Sequence, residues 1–399
     1  MRATSSNILA FATKGTDTNE ELRMRRLLSA TSARFLAFDK KAKLKSFRHV
    51  MASIWRERPD LVVMEGTGVA GGLACLIARL LGRTRYVLSS GDAVGPFVSA
   101  HSVFAGPVFA IYERILCRLS GGFIGWTPYL SGRALTFGAP RAVTACGWAP
   151  SPLHGEAALT ARKTIREKLC IPSDAIVFGL LGALEWNPRR QYCYGLELLQ
   201  ARQLVKRSDV CVLVVGGGSG LEKLRGMAGD MLGSAVFLPG PVPLDQVSTY
   251  LAAMDLASLP QSRDGVGNFR YTTKISEYAA AGLPMITGRL PLAYDLDDGS
   301  MFRLPGQSPW SQLYISALAK LMNEISPQTL ASAQSRVERF RAEFDPEKQV
   351  RRVTRFINDL LDEILGDQAL SEPAVARATP ERADIAAGLQ RIPEASNVS

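Results

Sequence analysis

Lys274-Ile-Ser-Glu277-Tyr-Ala-Ala-Ala-Gly282-Leu-Pro284, continued by Met-Ile-Thr287, is the stretch whose reading decides the fold. It sets a cation and a carboxylate one helical turn apart at a helix start, with Thr272 or Thr273 as a natural N-cap. Gly282 ends the helix, and Leu283–Thr287 is short, apolar and bounded by turn residues, as a buried parallel strand is. Upstream, Val247–Leu259 reads as a helix running into another apolar strand, and the polar loop Gln261–Thr273 joins the two units. The helix Lys274–Ala281 therefore lies between strands with its positive end toward that loop, an arrangement that binds anions. Spacing alone leaves two readings open: Lys274 and Glu277 grip a phosphate and a hydroxyl together, or they form an ordinary i,i+3 surface pair.

Working outward, the same alternation fills the chain. Asn7–Thr13, Phe35–Phe38, Leu61–Met64, Tyr86–Ser89, Gly122–Trp126 and Ala142–Ala145 read as strands. Helical patterns over Glu20–Ala30, the basic stretch after Phe38, Gly71–Leu81, Val103–Leu119 and Tyr129–Phe137 separate them. A second series follows, with strands Ile176–Leu181, Val210–Val215 and Ala235–Leu238 and helices Tyr192–Lys206 and Gly220–Ala228. Strand–helix alternation of this kind means parallel sheets, so the expected fold is α/β with two doubly wound, Rossmann-like domains facing a cleft. The expected division is residues 1–150, then 151–345, a helix at 346–365 that runs back across both domains, and a disordered tail at 366–399.

The chain has 399 residues, 47% hydrophobic and 21% charged, with a net charge of +10. Residues 1–150 hold 20 Lys/Arg against 9 Asp/Glu and the remainder holds 27 against 28, so the whole excess lies in the first domain. A one-sided basic domain calls for an acidic partner. Its densest cluster, Lys40, Lys41, Lys43, Lys45, Arg48, Arg56 and Arg58, is interleaved with Leu44, Phe47, Val50, Met51, Ile54 and Trp55. This pattern suits a basic amphipathic helix lying on an anionic membrane surface, or a solvated helix whose apolar stripe packs on its own domain. No zinc-finger, helix-turn-helix or aromatic-basic RNA-binding signature accompanies the charge, so a nucleic-acid partner is not expected. Six scattered cysteines without a C-x-x-C pair, no leader ahead of them and no spanning helix point to a cytoplasmic protein, soluble or peripheral at the inner membrane face.

Three further segments carry chemistry. Val215-Gly-Gly-Gly-Ser-Gly-Leu221 follows a strand and opens a helix, but Leu221 stands where a dinucleotide fingerprint needs its third glycine, and no acid follows at ribose distance. No redox cofactor is therefore expected; the glycines still allow close backbone approach to a phosphate or nucleoside. Gly182-Ala-Leu-Glu-Trp-Asn-Pro-Arg189-Arg190 places two guanidinium groups, suited to phosphate oxygens, at what reads as the next helix start. Ser89-Ser-Gly-Asp92 lies at a strand's carboxyl end, where Asp92 either faces the cleft or caps the following turn.

Leu181–Arg190, Val212–Leu224, Phe237-Leu-Pro-Gly-Pro-Val-Pro243 and Lys274-x-x-Glu-Tyr-x-x-x-Gly-x-Pro284 occur in the order found in family 4 glycosyltransferases, the group 1 family of the GT-B fold. The resemblance is specific over Ile176–Gly288 and architectural over the first half. It implies a nucleotide-diphosphate sugar donor bound by the second domain, a glycan or lipid-linked acceptor bound by the first, retention of configuration and no metal or other cofactor. By position it implies that Arg189 or Arg190 and Lys274 neutralise the donor diphosphate and that Glu277 accepts from the ribose hydroxyls. Backbone near Val242 would meet the base, Gly217 would line the nucleoside, and Lys14 and Gly15 would neighbour the diphosphate. Asp92 and Glu277 are the catalytic candidates. Two positions depart from the family pattern: Phe269 stands where a sugar-contacting Glu is expected, and Ala183 where an arginine is. Asp264 or Asn268 would have to substitute for the missing carboxylate. The alternative reading is a catalytically silent sugar-nucleotide-binding partner in a glycan-assembly complex.

Overall fold

The computed structural model describes residues 6–371 apart from 103, 150, 151 and 298, and from 367 onward the backbone alone. The first domain runs β1 (Ile8–Ala12), α1 (Asn19–Leu27), β2 (Arg34–Phe35), α2 (Lys43–Glu57), β3 (Leu61–Glu65), α3 (Val69–Leu80), β4 (Arg85–Ser90), α4 (Val94–Ser99), α5 (Ala105–Leu119), β5 (Gly122–Gly125), α6 (Pro128–Thr136) and β6 (Ala142–Thr144). The second runs α7 (Gly155–Leu169), β7 (Ile176–Leu181), α8 (Leu196–Gln203), β8 (Val210–Val215), α9 (Leu221–Ala228), β9 (Val236–Gly240), α10 (Val247–Ala252), β10 (Leu256–Ser258), α11 (Thr273–Ala280), β11 (Met285–Gly288), α12 (Leu292–Asp295), β12 (Met301–Leu304), α13 (Gln312–Glu324) and α14 (Pro327–Arg341). A last helix, α15, spans Pro346–Ser371.

Each domain holds one six-stranded sheet, ordered β2-β1-β3-β4-β5-β6 and β12-β11-β10-β7-β8-β9, and every strand pair is parallel. Strands β1, β3, β7 and β8 are buried along their whole length, as strands covered on both faces must be. The strand order reverses between β1 and β3 and between β7 and β10, which sets a crevice at the carboxyl edge of each sheet. This is the expected GT-B arrangement of two doubly wound sheets.

On one face of the first sheet, α2, α3, α5 and α6 pack through Val50, Ala74, Leu116 and Leu130. On the other, Met24 and Leu27 of α1 share the cover with Val353, Phe356, Ile357, Leu360, Leu361 and Ile364 of α15. The chain thus leaves the second domain through α14, whose Val337 and Phe340 belong to that domain's core, and returns to the first. Gly122 permits this return, because a Cβ there would stand 2.6 Å from the Phe356 ring. In the second domain, Asp255 takes Val177 N–H at 2.7 Å, Arg166 at 2.8 Å and Arg162 at 2.6 Å, locking α7 to β7.

Several expectations need correction. The helix expected over Val103–Leu119 is α5, but the short helix α4 that packs against it was not expected; a Cβ on Gly106 would lie 1.8 Å from Ser99 Oγ and one on Gly95 2.8 Å from the Ala110 Cβ, so two glycines let the helices touch. Strand β12 was not expected, since Met301-Phe-Arg-Leu304 is too short and mixed to signal it. The helix expected over Tyr192–Lys206 is only Leu196–Gln203, so Arg189 and Arg190 sit in a turn rather than at a helix start. Of the two readings of the basic stretch, the structure takes the packed one: in α2 Val50 and Ile54 are fully buried and Phe47 and Met51 pack on the same cluster, leaving Leu44 and Trp55 outside. Residues 366–371, expected in the tail, continue α15, and 372–399 lie outside the described residues.

Because α15 supplies six apolar side chains to the cover of one sheet face, Ile357→Ala, at a site of zero exposure, is expected to destabilise the first domain by about 2–5 kcal/mol. Urea unfolding followed by tryptophan fluorescence measures it; an unchanged midpoint would show that the helix rests on the sheet without supporting it.

Candidate functional site

The carboxyl edges of the two sheets enclose a cleft of about 780 Å³. The first domain contributes Lys14, Glu65, Asp92 and Trp126 to its lining, and the second contributes Tyr194, Arg270 and Lys274. At the floor, β3 ends in Glu65, a carboxylate of 1% exposure. It accepts from Ser89 Oγ at 2.7 Å, Arg23 Nη1 at 3.2 Å and Trp126 Nε1 at 3.3 Å. Burial pushes the Glu65 carboxyl up, and Arg23, Ser89 and Trp126 oppose that shift. The Arg23 guanidinium also lies 4.2 Å from the Trp126 ring centroid and donates to Ala145 O, tying α1, β3, β5 and the end of β6 together. Glu65 was missed in the sequence, although an acid closing the apolar run Leu61–Met64 was a usable signal.

On the other wall, α11 begins at Thr273. Thr272 has the extended backbone of an N-cap, but its hydroxyl is buried and makes no hydrogen bond, so the expected cap is one of position only. The Lys274 side chain passes over Gly182, where a Cβ would fall 2.3 Å from Cε, and its Nζ stands 5.3 Å from the Tyr194 ring centroid. Burial lowers the Lys274 pKa; Glu277 raises it and Arg270 lowers it further. Arg270 Nε lies 3.3 Å from Asp92 Oδ1, an ion pair across the cleft between the domains. Arg270 and Lys274 thus line the cleft beside Tyr194, whose phenol burial pushes up against the opposing charge of Arg270.

Glu277 has a different outlook. It lines a separate cavity of about 320 Å³ with Leu244, Asp245 and Val247, on the loop that follows Val242. Burial raises its pKa and Lys274 opposes the rise. Among the described residues the two form no ion pair within 4 Å, so one turn of helix sends the cation to the cleft and the carboxylate to its neighbour.

The remaining candidates are not all free to act. Asp264 accepts from Ser262 Oγ at 2.6 Å and from the N–H groups of Val266 and Gly267 at 2.9 Å each. Burial would raise its pKa, but these bonds and the Arg190 charge outweigh it and hold it low. That carboxylate holds its own loop instead of replacing the missing one, and Asn268 sits in the short turn it organises. Phe269 packs into the first domain's core cluster, under Arg133 at 5.2 Å, and its carbonyl accepts from Thr127 Oγ1 at 2.8 Å. Where a sugar-reading acid was expected, the chain has an interdomain anchor. Arg190 stacks 4.8 Å from the Trp310 ring, and Arg189 is exposed. The glycine run packs backbone on backbone: Leu184 N–H donates to Gly217 O at 2.8 Å, and a Cβ on Gly216 would lie 1.8 Å from Gly182 O. Val242 packs on the second core, and Gly15, at φ 124°, lines a third cavity beside the cleft. Among the described residues no group of three or more His, Cys, Asp or Glu is placed to hold a metal ion.

Residues 175–323 match the family described as Glycosyl transferases group 1. Among solved structures the fold is similar to that of HepE from Anabaena in complex with UDP-glucose (TM-score 0.64, 15% identity, 88% of this chain and 100% of that one). It is also similar to sucrose-phosphate synthase from Thermosynechococcus elongatus (0.65, 12%, 90% and 100%) and to WaaG, a glycosyltransferase involved in lipopolysaccharide biosynthesis (0.55, 16%, 87% and 99%). A search of curated protein sequences returns no match. The chain carries a group 1 glycosyltransferase domain in its second half, on a GT-B fold.

The cleft floor depends on charge balance. Glu65→Leu leaves the Arg23 guanidinium buried without its partner and is expected to cost about 3–5 kcal/mol, whereas Arg23→Met with Glu65→Leu recovers most of the loss. Denaturant melts of the two variants decide it; equal losses in both would assign the cost to packing.

Proposed function

We propose that this glycosyltransferase, of family 4, moves a sugar from a nucleotide-diphosphate sugar to a glycan or lipid-linked acceptor, with retention and without a metal ion. The observation that carries the reading is the placement of Arg270 and Lys274 beside Tyr194 on the second domain's wall of the cleft. As the glycosidic bond breaks, the departing nucleoside diphosphate gains negative charge, and fixed cations in a partly dehydrated site stabilise it without reorganising. Lys274 and Arg270 face the cleft and would hold the diphosphate there. Glu277, in the cavity beside the Val242–Val247 segment, would accept from the ribose hydroxyls while that loop meets the base. Asp92 is the first domain's acid on the cleft, and a diphosphate that draws Arg270 away would release it toward the sugar. Retention is carried by the resemblance.

Lys274→Ala is expected to lower kcat/KM by about 10²–10³-fold in a screen of UDP- and GDP-sugars. Burial has already lowered the Lys274 pKa from 10.5, and the ammonium is the binding form. Donor affinity should therefore fall on the alkaline side before an ordinary lysine would titrate, and Lys274→Arg, which keeps its charge, should remove that limb. Calorimetric titration of the nucleotide across the alkaline range reads both. Binding without product from any donor would leave a nucleotide-binding protein in place of a transferase.

The reading also places the protein at the cytoplasmic membrane face. Among the described residues no helix is long and apolar enough to cross a membrane, so the contact would be peripheral. The surface that fits an anionic bilayer is α5 with its N-cap, where Phe104 (93% exposed), Val108 (64%), Ile111 (62%) and Ile115 (43%) form one outward stripe beside exposed Arg114 and Arg118. Between residues 66 and 120 the acids are Asp92 and Glu113, each already paired, with Arg270 and Arg133. Phe104→Ser with Ile111→Ser should abolish sedimentation with phosphatidylglycerol vesicles and leave turnover of a soluble acceptor intact. Unchanged sedimentation would remove α5 from the contact.

A further inference from the structure

Beside the cleft lies a second opening in the first domain, a cavity of about 670 Å³ that shares Lys14, Phe38 and Lys40 with it. Lys41, Lys45 and His49 complete its basic lining, and Lys43 faces the cleft itself. The local acids do not neutralise this charge. Glu20 is taken by Lys14 at 2.5 Å, and the Asp39 carboxylate accepts the Lys41 backbone N–H at 2.7 Å. Lys40, Lys41, Lys43 and Lys45 have no ion-pair partner among the described residues.

Nothing in folding asks for these lysines. Lys43 and Lys45 lie in the first turn of α2, where cations are disfavoured, and that turn holds no acid. The apolar residues of the helix that pack on the domain core begin with Phe47, beyond the cluster. A cavity whose like charges repel one another and oppose the helix that carries them is relieved by an anion. It opens on the acceptor's side of the cleft, separate from the diphosphate cations around Tyr194, which belong to the other domain.

We infer that this cavity is an acceptor subsite for a phosphate or diphosphate group, with the hydroxyl to be glycosylated reaching into the cleft past Phe38 and Lys40. The inference rests on the transferase reading above and names its acceptor's chemistry: a phosphorylated sugar, free or carried on a lipid diphosphate.

The test is calorimetric titration of inorganic pyrophosphate into the full chain already saturated with UDP or GDP, whichever binds, so that the donor site is filled. The native protein is expected to bind pyrophosphate. Lys40→Gln/Lys41→Gln/Lys45→Gln should weaken that binding about tenfold or more, the order expected when several charge-assisted contacts go. Arg48→Gln/Arg56→Gln/Arg58→Gln, which removes the same charge from the far part of α2 and its C-cap, away from the cavity, should leave it unchanged. Thermal melts check that both triple variants are folded.

Equal loss in the two variants, or none in the first, overturns the subsite. So does a lysine variant that loses only its sedimentation with phosphatidylglycerol vesicles, which would make these lysines bilayer contacts. Failure of the native protein to bind either nucleotide sinks the transferase reading instead; pyrophosphate binding that survives Lys274→Ala but not the lysine variant then still reports the cavity. A short-chain prenyl diphosphate binding more tightly than pyrophosphate supports the subsite and assigns a lipid carrier, while glucose 6-phosphate matching pyrophosphate supports it and assigns a soluble acceptor.

Discussion

The constraint behind the architecture is that a purely parallel sheet must be covered on both faces, and the first sheet is short of helices on one of them. Chain order sends α2, α3, α5 and α6 to a single face and leaves α1 alone on the other, against Ile8, Ala10, Val63, Val87 and Ile124. Residues from the far end of the chain complete that face: α15 crosses back from the second domain and buries six apolar side chains there. A sheet that cannot close without the C-terminal helix keeps both domains in one assembly and sets their carboxyl edges opposite each other. The cleft is a consequence of that closure.

With the edges facing, the same segment serves as interdomain contact and cleft wall. Residues 261–273 leave β10, dock Phe269 against the first domain, pair Arg270 with Asp92 and deliver Lys274 to the cleft within a few residues. The contacts between domains here include the Phe269 ring, the Thr127 bond to its carbonyl, the edge-on Tyr129–Tyr271 rings at 6.0 Å, the Arg270–Asp92 ion pair and the Tyr129–Asp295 hydrogen bond at 2.5 Å. Aromatic packing and polar bonds thus share this seam, while α15 ties the domains together through an apolar face.

The sequence exposed the elements whose signals are local and left out those that arise from contact at a distance. Alternation of buried strands with amphipathic helices is written residue by residue, so both sheets and the Lys274 helix were legible, and β7 and β8 fall on their expected bounds. The ordered motifs from Leu181 to Pro284 likewise pointed to the group 1 domain. Less legible was which side of each element would be used. The basic stripe of α2 reads the same whether its apolar face meets lipid or its own sheet, and only the neighbouring helices decide. Glu277 and Lys274 share a helix turn but open on different cavities because Gly182 gives the lysine its path over the β7 edge, a fact of three-dimensional proximity. Asp264 looked available because its partners, two backbone N–H groups and Ser262, are invisible to a motif. Glu65 carried a signal, an acid at the end of an apolar strand, but its partners come from α1, β4 and the end of β5.

Replacing a carboxylate by Phe269 has an electrostatic meaning beyond the loss of one contact. Position 269 lies one residue from Arg270 and five from Lys274, and an acid there would compete with any anionic ligand for both cations. The phenyl ring removes that competitor and anchors the loop by packing under Arg133. The negative charge facing Arg270 now comes from Asp92 on the opposite domain, so occupancy of the cations and the relation of the domains become one equilibrium. A ligand anion that takes Arg270 from Asp92 also loosens a contact between domains, and a domain contact that holds Arg270 weakens the anion by the same free energy. On the proposed reading, the carboxylate that faces Arg270 thus comes from the opposite domain, where it would couple binding to motion.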